Sequence, residues 1–298
     1  MPRRLLVMSL AIAGLLAAHD GMAGRPNVLF IATDDLRCDL GCYGHPLVQS
    51  PNIDRLAARG VTFDAACCQQ AVCNPSRASL LTGRRPDRLA IWDLPTHFRQ
   101  THPKIVTLPQ RFKQAGWFTR NIGKIFHNWR QEIQGDPESW SVPAEMHYAN
   151  HGSDMPQVEG AVPANLAKGR NCRMLEVDDV AYFDGRIATK AVAALENLAQ
   201  SEQPFFLAVG FWKPHSPFNA PKRYWDRYDP ASLPPPRPAD WPRNAPRIAW
   251  HNGQEFVGRG GRPLTETDIS QMRHGYLAAI SYLDAQVGRL LDAVDQLG

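Results

Sequence analysis

The stretch "CNPSRASLLTG", Cys73 to Gly83, sets a cysteine where a helix is expected to begin: Cys73 or Asn74 can cap it, Pro75 suits the first turn, and Gly83 suits the end. The helix dipole and free N–H groups at such an N-terminus favour negative charge, so they are expected to lower a thiol pKa or hold an anion. From the helix alone, a buried structural cysteine is the commoner outcome. A second set is the carboxylate pair Asp34 and Asp35, which ends "RPNVLFIATDD". Two such groups can hold a cation, and equally well close a turn or cap a helix. "PFFLAVGFWKPHSPF" repeats the layout, an apolar run opening into a proline-rich loop with Lys213 and His215.

The elements that must position these groups follow from periodicity. Val28 to Ala32 and Phe205 to Phe211 are nearly continuous apolar runs, the pattern of strands buried on both faces in a mostly parallel sheet. "SPNIDRLAARG" predicts a short helix with Ser50 as N-cap, Pro51 at its first position, and Ile53, Leu56 and Ala57 on one face. "VTFDAAC" is strand-like, "TLPQRFKQAGW" helical, and "FTRNIGKIF" a strand with a turn. "DGRIATKAVAALENLAQ" carries the stripe Ile187, Ala191, Leu195 and Leu198. From Thr265, a stripe through Ile269, Met272, Tyr276, Ile280, Leu283, Val287 and Leu290 predicts a long helix, while 130–175 and 229–263 read as loops. Alternating strands and helices make an α/β fold with an open sheet. Ligands of such sheets gather beyond the strands' carboxyl ends, where both polar clusters can share one site.

Residues 73–83 fit C-x-P-S-R-x-x-x-L-T-G, and so resemble the signature with which the sulfatase family directs oxidation of a cysteine to formylglycine. "DDLRCDLGCYG", "SPNID", "GKIFH", "KPHSPF" and "SYLDAQVGRLL" look like the iduronate-2-sulfatase branch of that family. The resemblance implies an alkaline-phosphatase-like α/β fold with a mostly parallel central sheet. It makes Cys73 the formylglycine precursor and a metal ligand, with Asp34 and Asp35 as further ligands of one Ca2+ ion. Arg77 then steadies the formylglycine, Lys124 binds sulfate, His127 contacts the formylglycine hydroxyl, and His215 touches sulfate and assists the leaving oxygen. An aldehyde hydrate suits this chemistry, because one hydroxyl can attack sulfur while the other remains to release sulfate. The implied substrate is a sulfated carbohydrate, and the implied maturation partner is a formylglycine-generating enzyme.

The family pattern also contains a later Asp-His or Asp-Asn element and another sulfate-binding lysine, and neither occurs in these 298 residues. The expectation is a C-terminally truncated catalytic domain over residues 24–298, inactive alone. A formylglycine-type phosphodiester or phosphonate hydrolase and a catalytically dead glycan-binding protein are the alternative readings.

Composition fits a soluble globular protein: 44% of residues are hydrophobic and the net charge is +4, from 33 basic and 29 acidic residues without long like-charge runs. Nothing in that distribution tracks a nucleic-acid backbone. Arg3 and Arg4 precede an apolar run from Leu5 to Ala18, and small residues follow at Gly21 and Ala23, which reads as a signal peptide over residues 1–23 and export to the periplasm or outside. Fourteen apolar residues are short for a stable membrane span. Six cysteines in an exported chain are expected to be paired or used. Cys38, Cys42 and His45 lack a fourth ligand with finger-like spacing for zinc.

Overall fold

The computed structural model describes residues 25–128, 130–147, 172–234, 244, 246 and 264–298. The expected signal peptide, residues 1–23, and most of both loop-like stretches lie outside the described residues.

Three parallel strands form the central sheet: β1 (Val28–Asp34), β2 (Phe118–Gly123) and β4 (Phe205–Pro214), in the order β1-β4-β2. The most continuously apolar run, β4, takes the middle, buried on both faces. A two-stranded parallel sheet pairs β3 (Cys172–Leu175) with β5 (Phe218–Pro221). The helices are α1 (Pro51–Arg59), α2 (Cys73–Thr82), α3 (Pro86–Leu89), α4 (Phe98–Thr101), α5 (Leu108–Gln114), α6 (Phe183–Leu198), α7 (Lys222–Trp225) and α8 (Glu266–Leu297).

Strand alternation divides the core into two layers. Leu207, Val209 and Phe211 of β4 pack with Ile187, Ala191 and Leu195 of α6 and Leu283, Val287 and Leu290 of α8. Phe206 and Ala208 face the other way, onto Ala78 and Leu81 of α2 and onto Leu89, Ile91, Phe98 and Phe126. Gly123 and Gly210 are register partners at the strand ends. A Cβ on Gly123 would lie 2.1 Å from the Gly210 carbonyl oxygen, and one on Gly210 would lie 2.0 Å from the Lys124 oxygen. Only a glycine pair allows this approach, which delivers Lys124 to the sheet's carboxyl end.

Several local expectations change. Ser50 precedes α1 but does not cap it: its Oγ accepts the Gly41 N–H (2.8 Å) and donates to Asp54 (3.1 Å). The N–H groups of Asn52 and Ile53 are held instead by Asp284 of α8, at 3.0 and 2.8 Å. "VTFDAAC" forms no strand, and Val61 and Phe63 are 80% and 69% exposed. It has no ladder partner among the described residues, and a strand exists only by pairing. Leu56, expected on the apolar face of α1, is exposed, whereas Ile53 packs. The strand β3 arises at the end of a stretch expected to be loop.

Candidate active site

The carboxyl ends of β1, β2 and β4 and the start of α2 converge. Asp34 closes β1 and is 3% exposed; Asp35 follows in the left-handed region at φ 59°, which aspartate tolerates better than most residues. Cys73 is the first residue of α2, preceded by Val72, which offers no side-chain cap. Asn74 is not the cap either: its Nδ2 donates to the carbonyls of Asp93 (2.9 Å) and Thr96 (2.8 Å). Gly83, at φ 66°, ends the helix as expected, donating to the Ser79 carbonyl at 2.9 Å.

Arg77 lies one turn along α2 from Cys73. Its Nη2 donates to Asp34 Oδ1 (3.0 Å) and the Thr33 carbonyl (3.1 Å), and its Nη1 donates to the carbonyls of Lys124 (2.6 Å) and Ile125 (3.0 Å). One buried guanidinium thus ties β1 and β2 to α2. Lys124 Nζ donates to Asp34 Oδ2 and stands 4.4 Å from the centre of the Trp212 ring. Burial alone would raise the Asp34 pKa; the charges of Lys124 and Arg77 outweigh it and hold the carboxylate well below its usual range.

Cys73 Sγ lies 4.0 Å from Asp34 Oδ2 and 3.9 Å from Asp35 Oδ1, and His215 Nε2 lies 3.6 Å from Asp35 Oδ2. Potential ligand atoms of Asp34, Asp35, Cys73 and His215 all fall within 4.8 Å of one another, the one such group among the described residues. His215, expected on the sulfate side, therefore also borders the acidic cluster. Cys38, Cys42 and His45 make no such group; His45 Nδ1 accepts the N–H groups of Leu47 and Val48 instead. None of the six cysteines forms a disulfide among the described residues, whereas most were expected to be paired or used.

The expected lowering of the Cys73 pKa is reversed. Burial pushes the thiol up to about 12, and the neighbouring Asp34 and Asp35 carboxylates add to it more than Lys124 and Arg77 relieve. A protonated, soft sulfur is a poor nucleophile and a poor ligand for a hard cation. The two carboxylates supply hard oxygens, and an oxygen in place of sulfur at residue 73 would extend that set.

His127 is 8% exposed, and both its ring nitrogens are buried without a hydrogen-bond partner. Burial, reinforced by Lys124, pushes its pKa down to about 3, so the imidazole is neutral. An orphaned pair of buried nitrogens costs stability, and a ligand that hydrogen-bonds them recovers it. Cys73, Arg77 and Lys124 thus gather around Asp34, with Asp35 and His215 at the more exposed edge and His127 close enough to feel the charges of Lys124, Asp34 and Arg77.

Two supports were not expected. Asp184, completely buried at the start of α6, accepts the backbone N–H groups of Trp212 and Lys213 at 2.9 Å each, which fixes the end of β4. Lys213, grouped with His215 in the sequence, turns into its own loop and donates to the Pro217 carbonyl at 2.7 Å. An acidic residue in the first turn of a helix is legible as a cap; its target 28 residues away is not.

The protein-family model Sulfatase matches residues 26–298. The chain is 37% identical over 310 residues to iduronate 2-sulfatase of Mus musculus, covering 98% of this chain and 56% of the mouse protein. It is 38% identical over 291 residues to the Homo sapiens protein of that name, covering 91% and 52%. The chain thus spans about half the length of the curated relatives it matches. Its fold is like that of the phosphonate monoester hydrolase of Agrobacterium radiobacter, with a TM-score of 0.67 at 24% identity over 92% of this chain and 60% of the other.

Proposed function

Because the chain belongs to the sulfatase family and has the α/β, alkaline-phosphatase-like fold of that family, we propose that its site serves hydrolysis of a sulfate ester on a sugar. Cys73, in this reading, is converted to formylglycine by a formylglycine-generating enzyme. The single observation that carries the proposal is the convergence of Asp34, Asp35, Cys73 and His215 within 4.8 Å. The thiol itself, held protonated by burial and two carboxylates, is unsuited to attack, which a precursor tolerates and a nucleophile does not.

The chain's own residues divide the work by charge. Lys124 and Arg77 bring two buried cations to one buried carboxylate, Asp34, so the pocket favours an incoming anion. Neutral His127 can donate from one ring nitrogen and accept at the other, and so can hold a hydroxyl of residue 73 in place. His215, which borders Asp35, would give a proton to the departing sugar oxygen. Asp34 and Asp35 would hold a divalent cation, Ca2+ in this proposal, with an oxygen at residue 73. Such an ion would supply charge stabilisation to the sulfate oxygens and the attacking hydroxyl. The hydrated aldehyde would supply one hydroxyl for attack on sulfur and a second to release the sulfate. Export directed by residues 1–23, leaving 24–298 as sulfatase domain, belongs to the same proposal. No helix among the described residues is long and apolar enough to cross a membrane.

The test is a comparison of aryl sulfate and aryl phosphodiester hydrolysis by the whole protein, coexpressed with a formylglycine-generating enzyme and supplied with Ca2+. Faster sulfate turnover, lost in Asp34→Asn, is expected. A preference for the phosphodiester would move the assignment to the phosphonate and phosphodiester hydrolases.

A further inference from the structure

Trp92 is 57% exposed, yet it sits between a buried neighbour and a hydrogen-bonded loop. Ile91, just before it, is completely buried in the core under α2. The Trp92 carbonyl accepts Gln70 Nε2 at 3.2 Å. The loop that follows is pinned by Asn74 Nδ2 on the carbonyls of Asp93 and Thr96, and by Gln131 Nε2 on the carbonyl of Leu94 at 3.2 Å. Asn74 and Gln131 are 3% and 5% exposed. Residues three before and one after Cys73 thereby hydrogen-bond to the loop carrying Trp92, which ties that loop to the start of α2.

An exposed indole on a rigid, buried frame does nothing for the core, whereas it offers a flat apolar face at little entropic cost to a ligand. Its Nε1 donates to Asp87 Oδ1 at 3.3 Å, which ties the ring to α3 and the segment before it. That segment presents Arg84, Arg85 and Arg88, all exposed and without an ion pair among the described residues. An aromatic face beside unneutralised guanidinium groups complements a sugar ring with an anionic substituent.

We propose that Trp92, with Arg85 and Arg88, forms a subsite for a further residue of a sulfated oligosaccharide, beyond the sugar whose ester is cleaved. It rests on the proposed function only for the sulfated-sugar class of ligand. The site would therefore grip a chain of sugars and not a single sulfated ring.

Binding of a heparin-derived sulfated tetrasaccharide to the 298-residue chain, followed by calorimetry, tests this without requiring turnover. Trp92→Ala is expected to weaken binding about tenfold or more, the scale of losing an anchoring aromatic. Trp92→Phe should retain most of the affinity, which separates loss of the ring from loss of the fold. The Arg85→Ala, Arg88→Ala double variant should bind more weakly and with a shallower dependence on salt. Equal affinity of Trp92→Ala and the unchanged chain, or no binding by the unchanged chain, overturns the inference, and aryl sulfate hydrolysis by the unchanged whole protein would then still support the function. Absent hydrolysis with Trp92-dependent binding would instead sink the function and leave the subsite standing.

Discussion

Two buried ion pairs lie in the same half of the molecule and differ in how completely they are satisfied. Arg99 and Asp136 are 6% and 0% exposed. Arg99 reaches Asp136 through Nε and Nη2, donates from Nη1 to the Ile105 carbonyl (3.0 Å), and reaches Gln110 Oε1 at 3.1 Å; Asp136 also accepts the Ser139 hydroxyl. Arg99 also meets the exposed carboxylate of Glu138 at 3.2 Å, and both oxygens of Asp136 accept hydrogen bonds. At Asp34 two cations share one carboxylate beside a protonated thiol and an imidazole with no partner. The first is a finished clamp between α4 and the loop before residue 140. The second leaves the two buried ring nitrogens of His127 without a partner, and that difference marks it as the candidate for binding.

Breaking the closed pair should have the largest effect on stability. Asp136→Ala leaves the Arg99 charge buried, and a loss of about 3–5 kcal/mol is expected, read as a fall in the urea midpoint. Retained stability would mean that the clamp is not closed.

Acid should strike next. Burial pushes the His97 pKa down to about 4, and its Nδ1 accepts the Arg99 N–H. Since the folded value lies below the unfolded one of 6.5, the unfolded chain binds more protons between them. The His97 contribution is thus complete above pH 6.5 and is lost as pH falls through that value toward about 4, at about 1.4 kcal/mol per pH unit. His127, pushed down to about 3, acts in the same direction. Thermal unfolding across this window should show a steep decline that His97→Gln flattens; a pH-independent midpoint would contradict both assignments.

His127→Leu separates the two regions by sign. Removing two unpartnered nitrogens should leave stability unchanged or raise it by up to about 1 kcal/mol, while ester hydrolysis by the whole protein falls at least about a hundredfold. A destabilised variant would mean that His127 is a structural histidine. The smallest effect is expected at the surface, where Arg59 Nη1 meets Asp295 at 2.8 Å with both partners exposed. Arg59→Ala should barely move the urea midpoint, and any shift should vanish at high salt.

Much of this was legible in the sequence because it is local. The apolar runs of β1 and β4, the Gly83 stop and the stripe of α8 each follow from periodicity or from one residue's conformational freedom. Cys73, Arg77, Lys124, His127 and His215 are legible from motifs, and all but His127 lie against Asp34 or Asp35. What was not legible depends on distant partners. The rise of the Cys73 pKa comes from burial and from carboxylates 39 and 38 residues earlier, which overcome the effect of the helix start. Asn74 resembles a cap, but its partners at Asp93 and Thr96 exist only once the loop folds back. "VTFDAAC" has strand composition, yet composition cannot provide a neighbouring strand.

The central claim is that Cys73 is a precursor and not the nucleophile. Peptide mass spectrometry across residues 67–84, after coexpression with a formylglycine-generating enzyme, tests it most directly. An aldehyde at residue 73, trapped as a hydrazone, is the predicted result. An unmodified Cys73 thiol, from an enzyme preparation that converts a control peptide, would contradict it.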